Sequence, residues 1–280
     1  MMRTRILAAT LTLFAGLSWA VPAHAQYRVR PNDNRATGER YTFEAAGTFW
    51  NPTPDIVISS EGLGILGDNV DFVNTLGIEK TRFKQLKLAL RPAKKHKFRF
   101  EYTPIEYTAL NKTVATTFVF NGQRFNIGVP VSTEVQWKAY RFGYEWDFLY
   151  KDRGFAGMLV DVKYTDVSAT LSATALGTTG SEFTHAQAPI PALGFIGRGY
   201  VVPNISITGE FSFFKLPDKA IASDDYSGKY YDFDLYGTVN FNDHVGAQAG
   251  YRSFDVFYKV KQDLGTLKLK GPYFGGVVRF

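Results

Sequence analysis

The chain has 280 residues, a formal net charge of +6 and no cysteine, with 16% aromatic residues and 26 glycines. Without cysteine there is no disulfide framework and no lipid-modified cysteine anchor. The charge falls to +4 once Arg3 and Arg5 are removed with the first 25 residues, too mild an excess for a nucleic-acid partner.

Residues 1–5 supply a basic start, and 6–20 are apolar apart from Thr, Gly and Ser. Ala23-His24-Ala25 then matches the small-x-small cleavage pattern. Residues 1–25 are therefore expected to be a cleaved signal peptide, and 26–38 a periplasmic N-terminal segment. A single membrane anchor is the poorer reading, because the apolar run is short and small residues follow at once. No later run approaches the roughly 18 apolar residues that a membrane helix needs. A chain that spans without helices must be a closed barrel, since every backbone amide in lipid needs a partner within the protein.

From residue 39 onward, alternating segments of about ten residues carry the barrel pattern. The prediction is an all-β, closed antiparallel transmembrane barrel over 39–280. Ten strands are expected, with eight or twelve as alternatives: 39–50, 78–91, 97–109, 135–150, 155–169, 190–202, 204–214, 230–241, 245–258 and 267–280. Short connections (92–96, 151–154, 203, 242–244) alternate with long ones (51–77, 110–134, 170–189, 215–229, 259–266). An even strand number then puts both termini on the short-turn, periplasmic side of a bacterial outer membrane.

Side-chain parity gives an independent check, because alternate residues face opposite sides of a strand. Leu86, Leu88, Leu90, Phe98, Phe100, Phe142, Trp146, Met158 and Val160 are even, and are read as lipid-facing. Later in the chain Leu193, Phe195, Ile207, Phe211, Phe233, Leu235 and Val239 are odd, and take that role. A soluble β-sandwich would share the alternation, but not the secretion signal, terminal aromatic and loop asymmetry together. Phe120-Asn121-Gly122-Gln123 is a two-residue turn signal whose outward pairing sets apolar Phe98 against charged Glu145. A bulge is expected in between, at Pro104 or Pro130, and 114–129 should project beyond the membrane.

The opposite parity is polar. Lys87, Arg91, Arg99, Arg141, Lys163, Arg198, Arg252 and Arg279 are expected inside, with Glu44, Glu101, Glu145, Asp147, Asp161, Glu210, Asp232 and Asp234. Buried charge is tolerable when paired, and equal numbers of each sign fit pairing. A lumen network through Arg99, Glu101, Arg141, Glu145, Asp147, Asp161, Arg198 and Arg252 would either hold the barrel shut or line a constriction.

The last segment, Gly271-Pro272-Tyr273-Phe274-Gly275-Gly276-Val277-Val278-Arg279-Phe280, puts Phe274, Val278 and Phe280 on one face. Phe280 is expected to be the signal read by the barrel-assembly machinery. Lys80, Arg82, Lys84, Lys259, Lys261, Lys268 and Lys270 share the outer parity of their strands at the extracellular end. They are candidates for lipopolysaccharide phosphates, which Lys and Arg pair with well; ordinary solubilising charge is the alternative.

Signal, short turns, long loops, polar interior and terminal phenylalanine together resemble the small Gram-negative outer-membrane barrels of the OmpA/OmpW-like group. Residue matches are Ala46-Gly47-Thr48-Phe49-Trp50 running into Pro52, and Gly250-Tyr251-Arg252. The resemblance implies a narrow or gated barrel passing small solutes. A non-conducting structural or surface-interaction barrel is the alternative, and a lipid-modifying enzyme or protease a further one. No enzyme is expected: the residues two beyond His96, His185 and His244 are Phe98, Gln187 and Gly246, so the His-x-Ser arrangement that activates a serine is absent. No cofactor, metal or nucleic-acid partner is expected either.

Overall fold

The computed structural model describes residues 36–175, 178–216 and 226–280, with side chains left undescribed at 174–175, 178–186, 188, 226 and 260. The expected signal peptide lies outside the described residues. Ten strands make the barrel wall in chain order. They are β1 (Phe43–Trp50), β4 (Phe83–Ala93), β5 (His96–Thr113), β8 (Pro130–Lys151) and β9 (Gly154–Ala175), followed by β10 (Thr178–Val202), β11 (Ile205–Lys215), β12 (Tyr226–Asn240), β13 (Val245–Val260) and β14 (Asp263–Arg279). Four short strands, β2 (Thr53–Ser59), β3 (Val70–Asp71), β6 (Phe118–Phe120) and β7 (Gln123–Phe125), belong to the long connections.

Closure comes from β14 pairing antiparallel with β1, from Glu44 opposite Arg279 to Trp50 opposite Tyr273. Phe280 extends the seam: its amide donates to the Phe43 carbonyl at 2.8 Å, and its carbonyl accepts from the Thr42 and Phe43 amides. The expected parity holds around the wall. Leu90, Phe98, Phe142, Trp146, Val160, Phe195, Ile207, Phe233 and Phe274 are all exposed on the outside. A continuous apolar exterior of this kind belongs against lipid. Tyr102, Tyr140 and Tyr164, in ring contact, bound it on one side, and Tyr144, Trp146 and Phe148 on the other.

The strands outrun that band. β8 has 22 residues, roughly 70 Å along the strand, whereas a spanning apolar band is only about 25 Å tall. The connections 170–189 and 259–266, expected as loops, are instead strand: β9 and β10 pair as far as Ala175 with Thr178, and β13 and β14 turn within two residues after Val260. Small inward residues such as Ala169 and Ala173, with Ser and Thr outside, hid this from an apolar-period reading.

Beyond the band the wall divides. β5 loses β4 after Tyr102 opposite Leu86, two residues before Pro104. β10 loses β11 beyond Leu193 opposite Phe213, two residues before which stands Pro191. Proline has no N–H to offer a ladder, so it sits at strand edges. Two sheets result, β5-β8-β9-β10 and β12-β13-β14-β2-β3, with β2 pairing β14 from Thr53 to Ser59. Their inner faces meet over an apolar core, with the Trp137 and Phe254 rings 4.8 Å apart.

The bulge anticipated near Pro104 or Pro130 lies elsewhere. The β5–β8 register shifts between Ala109 and Lys112, where Asn111 takes φ 51°. That one-residue slip brings Phe98 opposite Tyr144 rather than Glu145. Asparagine tolerates the left-handed conformation that a bulge needs. The β6–β7 hairpin turns at Asn121 and Gly122, both at positive φ, and forms its own two-stranded sheet outside the barrel.

At the seam Gly275 faces inward, where a Cβ would overlap the Gly47 carbonyl, while one at Gly276 would lie 3.7 Å from its nearest neighbour. Gly275→Ala is expected to cost about 1–3 kcal/mol and to reduce the heat-modifiable folded fraction on cold gels, with Gly276→Ala unaffected. Equal behaviour of the two variants would mean the seam is not closed in this register.

Candidate functional site

The barrel interior is filled in three storeys, starting at the short-turn end. The first strand begins at Phe43 rather than at 39, because residues 36–42 cross the barrel mouth as a strap. The Ala36, Thr37 and Gly38 amides donate to Asp152, Pro203 and Asp243, one in each of three short turns. Arg91 ties in the fourth, bridging the Glu39 carbonyl at 2.5 Å and the Lys94 carbonyl at 2.7 Å. The Glu39 carboxylate, buried, takes Arg198 at 2.8 Å and the Tyr200 hydroxyl at 2.9 Å.

The middle storey is ionic. One chain of alternating sign runs Asp147, Lys97, Glu145, Arg99, Glu210, Arg141, then through Glu101 to Arg252, Asp232 and Lys163. Asp161 joins at Arg141, 2.7 Å away. Seven of the eight expected lumen residues are thus in contact, and Arg198 alone sits apart, on β10, paired with Glu39 of the strap. Lys87 with Asp234, and Arg279 with Glu44, form separate pairs at 2.7 and 2.5 Å. Sequence reasoning missed Lys97 and Glu39. Lys97 has the same odd parity as Arg99 and Glu101, so the signal was present at the first residue of its strand. Glu39 carries no periodic signal, since its segment is not a strand. With both included, nine cations face nine carboxylates, and each of them joins an ion pair.

Above the charges lies the apolar core. Trp50, Phe83, Ile105, Tyr107, Val135 and Trp137 come from the wall, Ile56, Phe72, Leu76 and Ile78 from the 51–82 connection, and Phe118, Phe120 and Phe125 from the β6–β7 arm. Cavities of about 40 and 20 Å³ flank the Arg141–Glu101 contact, one toward Lys87 and Glu44 and the other toward Trp50 and Phe254. Such volumes hold one or a few waters.

Outside, the structure places Lys84 on β4 and Lys268 and Lys270 on β14, with β1 between them, and Lys80 and Arg82 just before β4. Arg82 donates to the Asn51 side chain at 2.9 Å and lies 5.9 Å over the Phe274 ring. Lys268 stands between Asp255 and Asp55, with the Asp55 carboxylate 3.8 Å away. Sequence reasoning did not foresee Asp55 there, because it treated β2 as loop. Lys259 and Lys261 are lifted to the β13–β14 tip, roughly 20–30 Å along the strand from Lys270.

No group of His, Asp and Glu among the described residues could hold a metal ion. His96 stacks on Tyr144, and the His244 ring contacts the Arg279 carbonyl at 3.0 Å; the His185 side chain lies outside the described residues. No protein-family model matches the chain, and no curated protein matches it. Solved structures do. The outer-membrane protease OmpT of Escherichia coli aligns with a TM-score of 0.54 at 8% identity, over 85% of this chain and 96% of its own. The fold is that of an outer-membrane β-barrel. The toluene transporter TodX of Pseudomonas putida (TM-score 0.37, 9% identity, 89% and 92% covered) and the attachment invasion locus protein Ail of Yersinia pestis (0.31, 10%, 84% and 98%) also align.

Arg252→Ala leaves Glu101 and Asp232 without their closest cation and is expected to cost about 3–5 kcal/mol in urea unfolding followed by tryptophan fluorescence. Exposed Arg153→Ala should shift it by under about 0.5 kcal/mol. At Glu39 burial works to raise the carboxyl, but Arg198 outweighs it and holds the group below its ordinary 4.5. The strap is therefore fully held above that value and loosens as pH falls through the lower folded one. Hydrogen exchange at the 36–38 amides should rise in acid, and Glu39→Gln should remove the transition.

Proposed function

We propose that this protein is a non-conducting outer-membrane barrel that holds a rigid β-sandwich outside the cell for surface contact. The observation carrying this is that the interior is filled from end to end: strap, ion-pair chain, then apolar core. A permeation pathway would have to part all three, and paired charges inside a barrel are costly to separate. The reading includes no catalytic step and no cofactor.

Both termini are periplasmic in this reading, with the long hairpins outside. Phe280 serves the assembly machinery, as the exposed aromatic end of the strand that closes the seam. Arg82, Lys84 and Lys270, above Phe49 and Phe274, meet lipopolysaccharide phosphates, whereas Lys268 is taken up by its two carboxylates. Deleting Phe280 is expected to lower assembled barrel in the outer membrane several-fold while secretion continues. Unchanged folded protein would remove its assembly role.

A second reading, a gated conduit, has one observation in its favour: the two cavities share Glu101 and Arg141 as lining residues. Planar-bilayer recording decides between them. The refolded protein should give no stable conductance steps, and neither should a variant lacking residues 36–42. Steps in the parent would overturn the closed reading, and steps in the truncated variant alone would make the strap a gate.

A further inference from the structure

The four short turns stand at one end of the barrel, yet they are built differently. The β10–β11 turn is Pro203-Asn204, and the β12–β13 turn Asn242-Asp243-His244. Exposed apolar side chains flank both: Val201 and Val202 at the one, Phe241 and Val245 at the other. Neither turn carries a lysine or arginine. The exposed lysines of this end stand on the two remaining hairpins, which are neighbours because β5 pairs with β8. Lys94 and Lys95 lie between β4 and β5, and Lys151 ends β8.

Their backbones are held in place. The Lys94 carbonyl accepts from Arg91 at 2.7 Å, and the Lys95 carbonyl from the Asp147 amide at 2.8 Å. Register fixes Lys151: past the slip between Trp146 and Leu149, Leu149 lies opposite Ala156 and Lys151 opposite Gly154. Ala156 shares the outward parity of exposed Met158 and Val160, so Lys151 faces out directly beyond Leu149. The slip also leaves Phe148 and Leu149 both exposed, which carries the apolar exterior almost to the turn. On β5, His96 lies opposite Trp146, and its Nδ1 is 2.5 Å from the Tyr144 hydroxyl. The Tyr144 ring therefore lies along the strand with its polar tip toward the turns.

Among the described residues none of the three ammoniums pairs with a carboxylate, and Asp152 is the one acid in the two turns. Arg153, the other exposed cation there, donates to the Val201 carbonyl at 3.0 Å. The sequence ahead of the strap does not offset this charge, since 26–35 hold Arg28, Arg30 and Arg35 against Asp33. Charge that serves solubility is spread over a surface with both signs interspersed. Here one sign gathers on one arc of the rim, beside an aromatic ledge at the level where the apolar band ends. Such an arrangement is complementary to an anion carried on acyl chains.

We propose that Lys94, Lys95 and Lys151 form a headgroup site for an anionic phospholipid of the periplasmic leaflet. Its phosphodiester lies between the two hairpins, and its acyl chains run over Trp146, Phe148 and Leu149. A headgroup with its own ammonium competes with the lysines for that phosphate, so the site favours one without. The leaflet rests on the orientation proposed above, with the short turns periplasmic. That orientation is checked separately by labelling a tag inserted at Gln262 in intact cells.

The test is native mass spectrometry of the detergent-solubilised barrel with three lipids. They are phosphatidylglycerol, phosphatidylethanolamine of the same acyl chains, and bisphosphorylated lipid A. At about fivefold per cation near an anionic surface, Lys94→Gln with Lys95→Gln and Lys151→Gln should weaken phosphatidylglycerol by about a hundredfold. Phosphatidylethanolamine should lose less, and cold-gel mobility reports that the variant is folded. A phosphatidylglycerol loss below about fivefold, the share of one cation, overturns the site. An equal loss with phosphatidylethanolamine overturns the preference for an anionic headgroup. A larger loss with lipid A than with phosphatidylglycerol reassigns the lysines to lipopolysaccharide and overturns the phospholipid. Competition by millimolar inorganic phosphate as strong as that by phosphatidylglycerol reassigns them to a soluble anion and overturns the lipid assignment. A tag at Gln262 labelled only after the outer membrane is opened overturns the orientation instead, whatever the lipid result.

Discussion

Everything in this molecule depends on the β1–β14 seam. Backbone amides inside a hydrocarbon layer have no water to turn to, so the sheet has either two unpaired edges or none. Pairing Glu44 through Trp50 with Tyr273 through Arg279 leaves none. Closure then fixes the parity of every strand at once, and with it which side chains meet lipid and which meet one another. The interior charges are a consequence: once the wall is closed, inward positions on facing strands have only each other for solvation.

That explains why the ion pairs form a connected chain rather than isolated couples. Arg141 reaches Glu101, Asp161 and Glu210, which lie on three different strands. A guanidinium has several donors in a planar fork, so a single arginine satisfies carboxylates from several directions. Arginine accordingly occupies the middle of the chain, Arg99, Arg141 and Arg252, with Arg141 its branch point, and lysine lies toward the ends, Lys97 and Lys163. Where the charges stop, at Trp50 and Phe254, packing takes over, and the loop residues that complete that packing are drawn down between the sheets.

The fold was legible because period-two alternation survives in almost every strand, and ten strands with the stated short turns follow from it. The interior was legible for the same reason, down to Arg141 and Arg252. What escaped lacked that signal. Glu39 acts from a strap with no periodicity, and β2 was hidden because it continues β1 past Pro52 as a separate piece. The β9–β10 extension is built of Ala, Ser and Thr, whose faces differ too little in polarity to register. The bulge was deducible from the clash of Phe98 with Glu145. Its position was not, because Pro104 drew attention by its missing amide, while Asn111 supplied the backbone conformation that the slip required.

The division of the wall at Pro104 and Pro191 has a mechanical meaning. The head is not a domain tethered to an anchor; β5, β8, β9 and β10 run uninterrupted from one into the other. A pull on the head is therefore directed along the strands and loads many ladder hydrogen bonds in shear at once, instead of opening them singly. With no linker to extend, force or torque applied to the head reaches the membrane band undamped. The chain is built as a mast whose footing and shaft are the same beams.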